Sequence, residues 1–164
     1  PDGIAGGNLY CPAGNLNRQW GLGTTAETPN VEKFVRSLGA RGRKVDLFMD
    51  FHGWCRPERE TMLMSFGKEI ACETDERDAS RLAETIKSRL TGKVIISLWR
   101  KRVTTVTSIT GDLNRLAPGW MKFEAGARLA YSIEIFGEGE CTQDQYLKWG
   151  QAFAEGISEF YERP

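Results

Sequence analysis

The chain has 164 residues, 40% hydrophobic and 27% charged, with 22 Lys and Arg balanced by 22 Asp and Glu. That is enough for one domain with its own core, and the composition is that of an ordinary globular chain. A formal net charge of zero without a polybasic block argues against nucleic acid and against a membrane surface as partners, and no apolar run approaches the length of a membrane span.

Residues 1–22 read as a loop. Gly3, Gly6, Gly7, Pro12, Gly14 and Gly21 are turn residues, and Asn8, Asn15 and Asn17 add to them. Tyr10, Leu16 and Trp20 should make this loop pack. Within it stands Asn17-Arg18. An Arg fork holds a carboxylate with two parallel hydrogen bonds, and an Asn amide adds a third. A solvated Arg at a loop tip is the structural alternative.

Asn30, after Pro29, is the predicted N-cap of a short amphipathic helix. Val31, Phe34, Val35 and Leu38 form its apolar face, and Gly39 stops it. The run 45–51 (Val, Asp, Leu, Phe, Met, Asp, Phe) then reads as a strand buried on both faces of an α/β sheet. It ends at His52, the single histidine, followed by Gly53. Ligands bind beyond the carboxyl ends of strands in such sheets, so His52 is well placed for chemistry. A histidine closing a strand with a satisfied hydrogen bond is the alternative.

Residues 55–59 form a polar loop, and 61–66 a second strand with Met62 and Met64 on one face and Leu63 on the other. The acidic stretch 73–78 opens a helix favourably against its dipole. Ala79, Leu82, Ala83, Ile86 and Leu90 give it a 3.6 period, and Gly92 ends it. Residues 94–99 are a strand, followed by the cluster Arg100-Lys101-Arg102. Residues 103–109 are extended, 111–119 a loop and 120–127 a short helix. Residues 129–136 form another strong strand, with Glu134 set between Ile133 and Ile135. A carboxylate there is costly unless paired, coordinated or used. Thr142 caps the closing helix with Gln145 at the capping-box position. Tyr146, Trp149, Phe153, Ile157 and Phe160 follow on one face. The four cysteines (Cys11, Cys55, Cys72, Cys141) are scattered with no Cys-x-x-Cys pair, which argues against a structural zinc site. Their even count permits disulfides without requiring them and leaves the compartment open.

Taken together these motifs resemble the zinc metallocarboxypeptidases, in the cytosolic and bacterial branch. Pro1-Asp2-Gly3 through Gly14-Asn15-Leu16-Asn17-Arg18-Gln19-Trp20 is similar to the family's asparagine-arginine loop. Asp46-Leu47-Phe48-Met49-Asp50-Phe51-His52-Gly53 resembles the strand with its third zinc ligand, and Tyr131-Ser132-Ile133-Glu134 the strand with its general base. The resemblance implies an open mixed sheet with helices on both faces, a three-layer sandwich, with residues 1–164 as the C-terminal part of one catalytic domain. It implies that His52 binds Zn2+, that Glu134 is the general base, and that Asn17 and Arg18 hold the C-terminal carboxylate of a peptide or protein substrate.

A catalytic zinc takes three protein ligands and a water. The family's other two ligands lie in a His-x-x-Glu motif upstream of the Pro-Asp-Gly loop. This chain alone is therefore expected to be inactive. Arg100, Lys101, Arg102 and Arg128 are candidates to receive an acidic C-terminal side chain. Two other functions fit the same residues: a carboxylate-binding module without metal, and an amide hydrolase of the same fold acting on a non-peptide substrate.

Overall fold

A computed structural model describes residues 10–11, 14–54, 60–90, 93–99, 113–136 and 142–162. The expectations for residues 1–9, 55–59, 100–109 and Gly92 lie outside this set. The elements are short strands β1 (Tyr10–Cys11) and β2 (Gly14–Asn15), helix α1 (Glu27–Ala40), strands β3 (Leu47–Trp54) and β4 (Glu60–Phe66), helix α2 (Glu73–Lys87), strand β5 (Lys93–Trp99), helix α3 (Ala117–Phe123), strand β6 (Leu129–Phe136) and helix α4 (Gln143–Glu162). Strands β3, β6, β4 and β5, in that order, form an open mixed sheet: β4 runs parallel to β5 and antiparallel to β6. The fold is mixed α/β, as the alternation of helix and strand predicts. Two compact units divide it, Pro1–Asp50 with Arg102–Ala130, and Phe51–Lys101 with Tyr131–Pro164.

In the first unit, α1 begins earlier than Asn30. The Thr25 hydroxyl accepts the Thr28 N–H at 3.4 Å, and the Asn30 amide donates back to the Ala26 carbonyl at 2.8 Å. Pro29 thus sits inside the first turn, where no intrahelical N–H bond is lost. The stop is Gly42 rather than Gly39. Its φ of +68° lets Arg43 N bond Leu38 O and Gly42 N bond Gly39 O, which closes the helix end. The inner face is Thr28, Glu32 and Val35. Val31 and Phe34 point outward, Phe34 with 61% exposure. Helix α3 starts at Ala117, three residues before Trp120, with Pro118 tolerated in its first turn. Trp120 is the unit's largest buried side chain; Trp20 packs on it at 5.7 Å, and the Arg36 guanidinium lies 5.3 Å from its ring centre.

In the second unit, α2 opens with Glu73, Asp75 and Glu76 in its first turn, which suits the positive end of its dipole. It buries Ala79, Leu82, Ala83 and Ile86 and packs against β4, β5 and α4. The Thr142–Gln145 capping box is present: Gln145 Oε1 accepts Thr142 N–H at 2.8 Å, and Thr142 Oγ1 accepts Gln145 N–H at 3.4 Å. Phe153 and Phe160 are buried on α4, while Tyr146 is exposed. Arg89 ties the end of α2 to Glu155 (3.4 Å) and Glu159 of α4. No described helix is long and apolar enough to cross a membrane.

Strand β3 differs from the reading of a strand buried on both faces. Leu47, Phe48 and Met49 are only half-buried and Phe51 is 50% exposed. The reason is position: β3 ends the order of the described strands, so among them it has one neighbour rather than two.

Candidate functional site

Asn17 sits in a single 3-10 turn, Leu16–Arg18. Both ends of its side chain are engaged. Oδ1 accepts the Ala117 N–H at 2.8 Å, and Nδ2 points to Asp50 Oδ2 at 3.4 Å, the long limit of a hydrogen bond. Leu116, the N-cap of α3, has no side-chain oxygen to offer, so Asn17 performs that capping from a distant part of the chain. Arg18 is half-buried, and its Nη1 donates to the Asn17 carbonyl at 2.7 Å. That bond turns the guanidinium stem back over its own turn.

The loop is fixed on its far side by Gly21. Its φ of +75° is left-handed, and a Cβ there would lie 3.4 Å from Trp120 Cδ1. Its N–H donates to Glu32 Oε1 at 2.7 Å. Glu32 is 9% exposed. Nothing in its local sequence marks it, since it lies outside the predicted apolar face of α1.

His52 is half-buried on β3 and lies inside the strand, which runs on to Trp54. Its neighbour Phe51 packs edge-on against Phe153 of α4, centroids 5.1 Å apart. Strand side chains alternate, so His52 stands on the opposite face from that contact. Glu134 is half-buried on β6. It pairs with Met62, and Ser132 with Met64, while Ile133 pairs with Leu63. Paired residues share a face. Ile133 and Leu63 are fully buried, whereas Met62, Met64 and Glu134 are half-buried and only the small Ser132 on their face is buried. The alternation therefore explains how a strand this apolar carries a carboxylate: Glu134 lies on the face that keeps some access to water, so its desolvation cost is partial.

Arg128 is ion-paired with Asp46. Its Nε and Nη2 meet the two Asp46 oxygens at 2.8 and 3.3 Å. The other three cations proposed for specificity, Arg100, Lys101 and Arg102, lie outside the described residues. Among the described residues, no group of three His, Cys, Asp or Glu side chains could hold a metal ion. His52 is a single donor, and a catalytic zinc needs three, so these residues do not make a zinc site by themselves.

No protein-family model matches the chain, and no curated protein matches it. Solved structures do. A metallo-carboxypeptidase from Burkholderia cenocepacia superposes with a TM-score of 0.69 and 21% identity, covering 99% of this chain and 42% of that one. A protein named as a carboxypeptidase A from Shewanella denitrificans superposes with a TM-score of 0.65 and 18% identity, covering 96% of this chain and 43% of that one. The chain has a zinc carboxypeptidase-like fold, and it spans less than half the length of these two structures.

Proposed function

We propose that this chain is part of a peptide hydrolase that releases the C-terminal residue of a peptide or protein. Glu134 is the general base, Arg18 with Asn17 receives the terminal carboxylate, and His52 supplies one donor to a zinc ion. The observation that carries the reading is the matched position of His52 and Glu134. β3 and β6 are neighbours in the sheet, each eight residues long, and His52 and Glu134 are each the sixth residue of their strand. The bonds Arg128 N to Val45 O (3.1 Å) and Leu129 N to Asp46 O (2.9 Å) join the residues that lead into the two strands, so both strands start from the same end of the sheet.

The described residues do not complete a metal site, so the chemistry assigned to this chain is proton transfer and positioning. The Glu134 carboxylate takes a proton from the attacking water and delivers it to the departing amine. The guanidinium of Arg18 offers paired donors to the free carboxylate, which selects the last residue of a chain over internal bonds. Asn17 spends its amide oxygen on α3, so its part is to hold Arg18's turn in place and to offer one amide hydrogen.

The test uses the whole protein. Glu134→Gln should lower kcat by about 10²–10⁴-fold, the usual worth of a general base, with zinc content unchanged. Chelation should abolish turnover, and added zinc should restore it. Unchanged turnover in the variant would remove Glu134 from the mechanism. Tight peptide binding without any turnover in the wild type would leave a binding module instead.

A further inference from the structure

We infer that Glu32 is a positioning residue for the carboxylate clamp, holding the loop after Asn17 in the shape that presents Arg18. The inference rests on the reading of Arg18 just given. Glutamate is among the residues least often buried unless it is paired. Glu32 is nevertheless on the inner face of α1, and its Oε1 takes the Gly21 N–H at 2.7 Å, the length of a charge-assisted bond. The donor is itself constrained. Gly21 has a φ of +75°, and its Cα faces the Trp120 ring, so other residues fit poorly there.

Two turns connect this point to the clamp, Gln19 N to Leu16 O at 3.0 Å and Leu22 N to Gln19 O at 3.2 Å. Arg18 therefore lies between two anchors. One is neutral, Ala117 N–H to Asn17 Oδ1 at 2.8 Å; the other is the Glu32 carboxylate. Between them Trp20 N reaches Arg115 O only at 3.4 Å. With Glu32 removed, the chain after Arg18 keeps that long bond and the stacking of Trp20, and the guanidinium loses its fixed direction. Small misplacements of a substrate-orienting group are costly to rate.

The experiment compares N-blocked dipeptides with a free and with an amidated C-terminus, in wild type, Glu32→Ala, Glu32→Gln and Arg18→Ala forms of the whole protein. Glu32→Ala should lower the preference for the free carboxylate roughly tenfold, what about 1.4 kcal/mol of lost positioning amounts to. The loss should fall on KM, with kcat and the amidated substrate little changed. Glu32→Gln should keep most of the preference, because an amide oxygen still accepts the Gly21 N–H. The Gly21 amide should exchange with solvent faster in Glu32→Ala than in wild type. If Arg18→Ala abolishes the preference and Glu32→Ala does not touch it, this inference is wrong and the clamp stands. If Arg18→Ala leaves the preference intact, the clamp itself fails and takes Glu32's role with it. A Glu32→Ala protein that slows both substrates equally would mark Glu32 as a stability residue only, and overturns the inference. Should Glu32→Ala not fold, Glu32→Asp, which draws the carboxylate back by one methylene, carries the same comparison.

Discussion

Two glycines on one helix should respond to the same substitution with opposite signs. Gly150 and Gly156 both lie inside α4. Helix propensity alone favours alanine over glycine by about 1 kcal/mol at either site. At Gly150 a Cβ would meet no described atom within 4 Å, so Gly150→Ala should realise most of that gain, about 0.5–1 kcal/mol. At Gly156 the Cβ would stand 2.7 Å from Ile86 Cγ1, 3.0 Å from Ile86 Cα and 3.1 Å from Ile86 N. The first contact can relax by a rotamer change, but the other two are backbone atoms of α2, and relief requires the helices to separate. Overpacking of this kind costs about 1–3 kcal/mol, which exceeds the propensity gain. Separation would also strain the Arg89 bonds to Glu155 and Glu159, which span the same two helices. Two backbone contacts put the cost in the upper part of that range, so a net destabilisation of about 1–2 kcal/mol should lower the melting temperature by roughly 2–8 °C for a chain this size, and Gly150→Ala should raise it by roughly 1–4 °C. Thermal unfolding followed by circular dichroism reads both. A Gly156→Ala protein as stable as wild type would show that the α2–α4 approach is looser than described, and would refute the reasoning.

Removing the acceptor that caps α3, by Asn17→Ala, should cost about 1 kcal/mol in chemical denaturation, the usual worth of an N-cap; no loss would mean that water replaces the Asn17 oxygen without penalty. Thr142→Ala should cost a similar amount, about 1 kcal/mol, because the α4 capping box loses its reciprocal bond. A melting curve superimposable on wild type would deny that the box matters. Asp46→Ala breaks the two-pronged pair with Arg128. Both side chains are about half exposed, so the loss should stay below about 1 kcal/mol and shrink in high salt. A larger, salt-insensitive loss would contradict the exposed placement of that pair.

Much of the fold was legible in the sequence where burial and period agree. The strand over 129–136 and the Thr142–Gln145 box stand where the pattern put them, because an apolar run and a capping pair are local signals. Helix α1 shows the limit. Its apolar period pointed to Val31 and Phe34, but the inner face carries Glu32 because a distant N–H, that of Gly21, needs an acceptor. A contact between residues 21 and 32 leaves no trace in periodicity. Helix α3 began early for a similar reason: Gly119 packs so closely on the Leu113 carbonyl that an added Cβ would stand 1.7 Å from it, and this glycine reads from the sequence as loop. For the candidate site, residue types and order singled out Asn17, Arg18, His52 and Glu134 for the proposal made above. What Asn17 does for α3, and what Arg128 does with Asp46, depended on pairings across 100 and 82 residues, beyond any local rule.

The central claim is that Arg18 and Glu134 serve the removal of a chain's last residue. Mass spectrometry of a peptide incubated with the whole protein tests it directly. The account predicts stepwise loss of single C-terminal residues, with the amidated form of the same peptide trimmed far more slowly. Internal cleavage, or equal trimming of the amidated peptide, would contradict it.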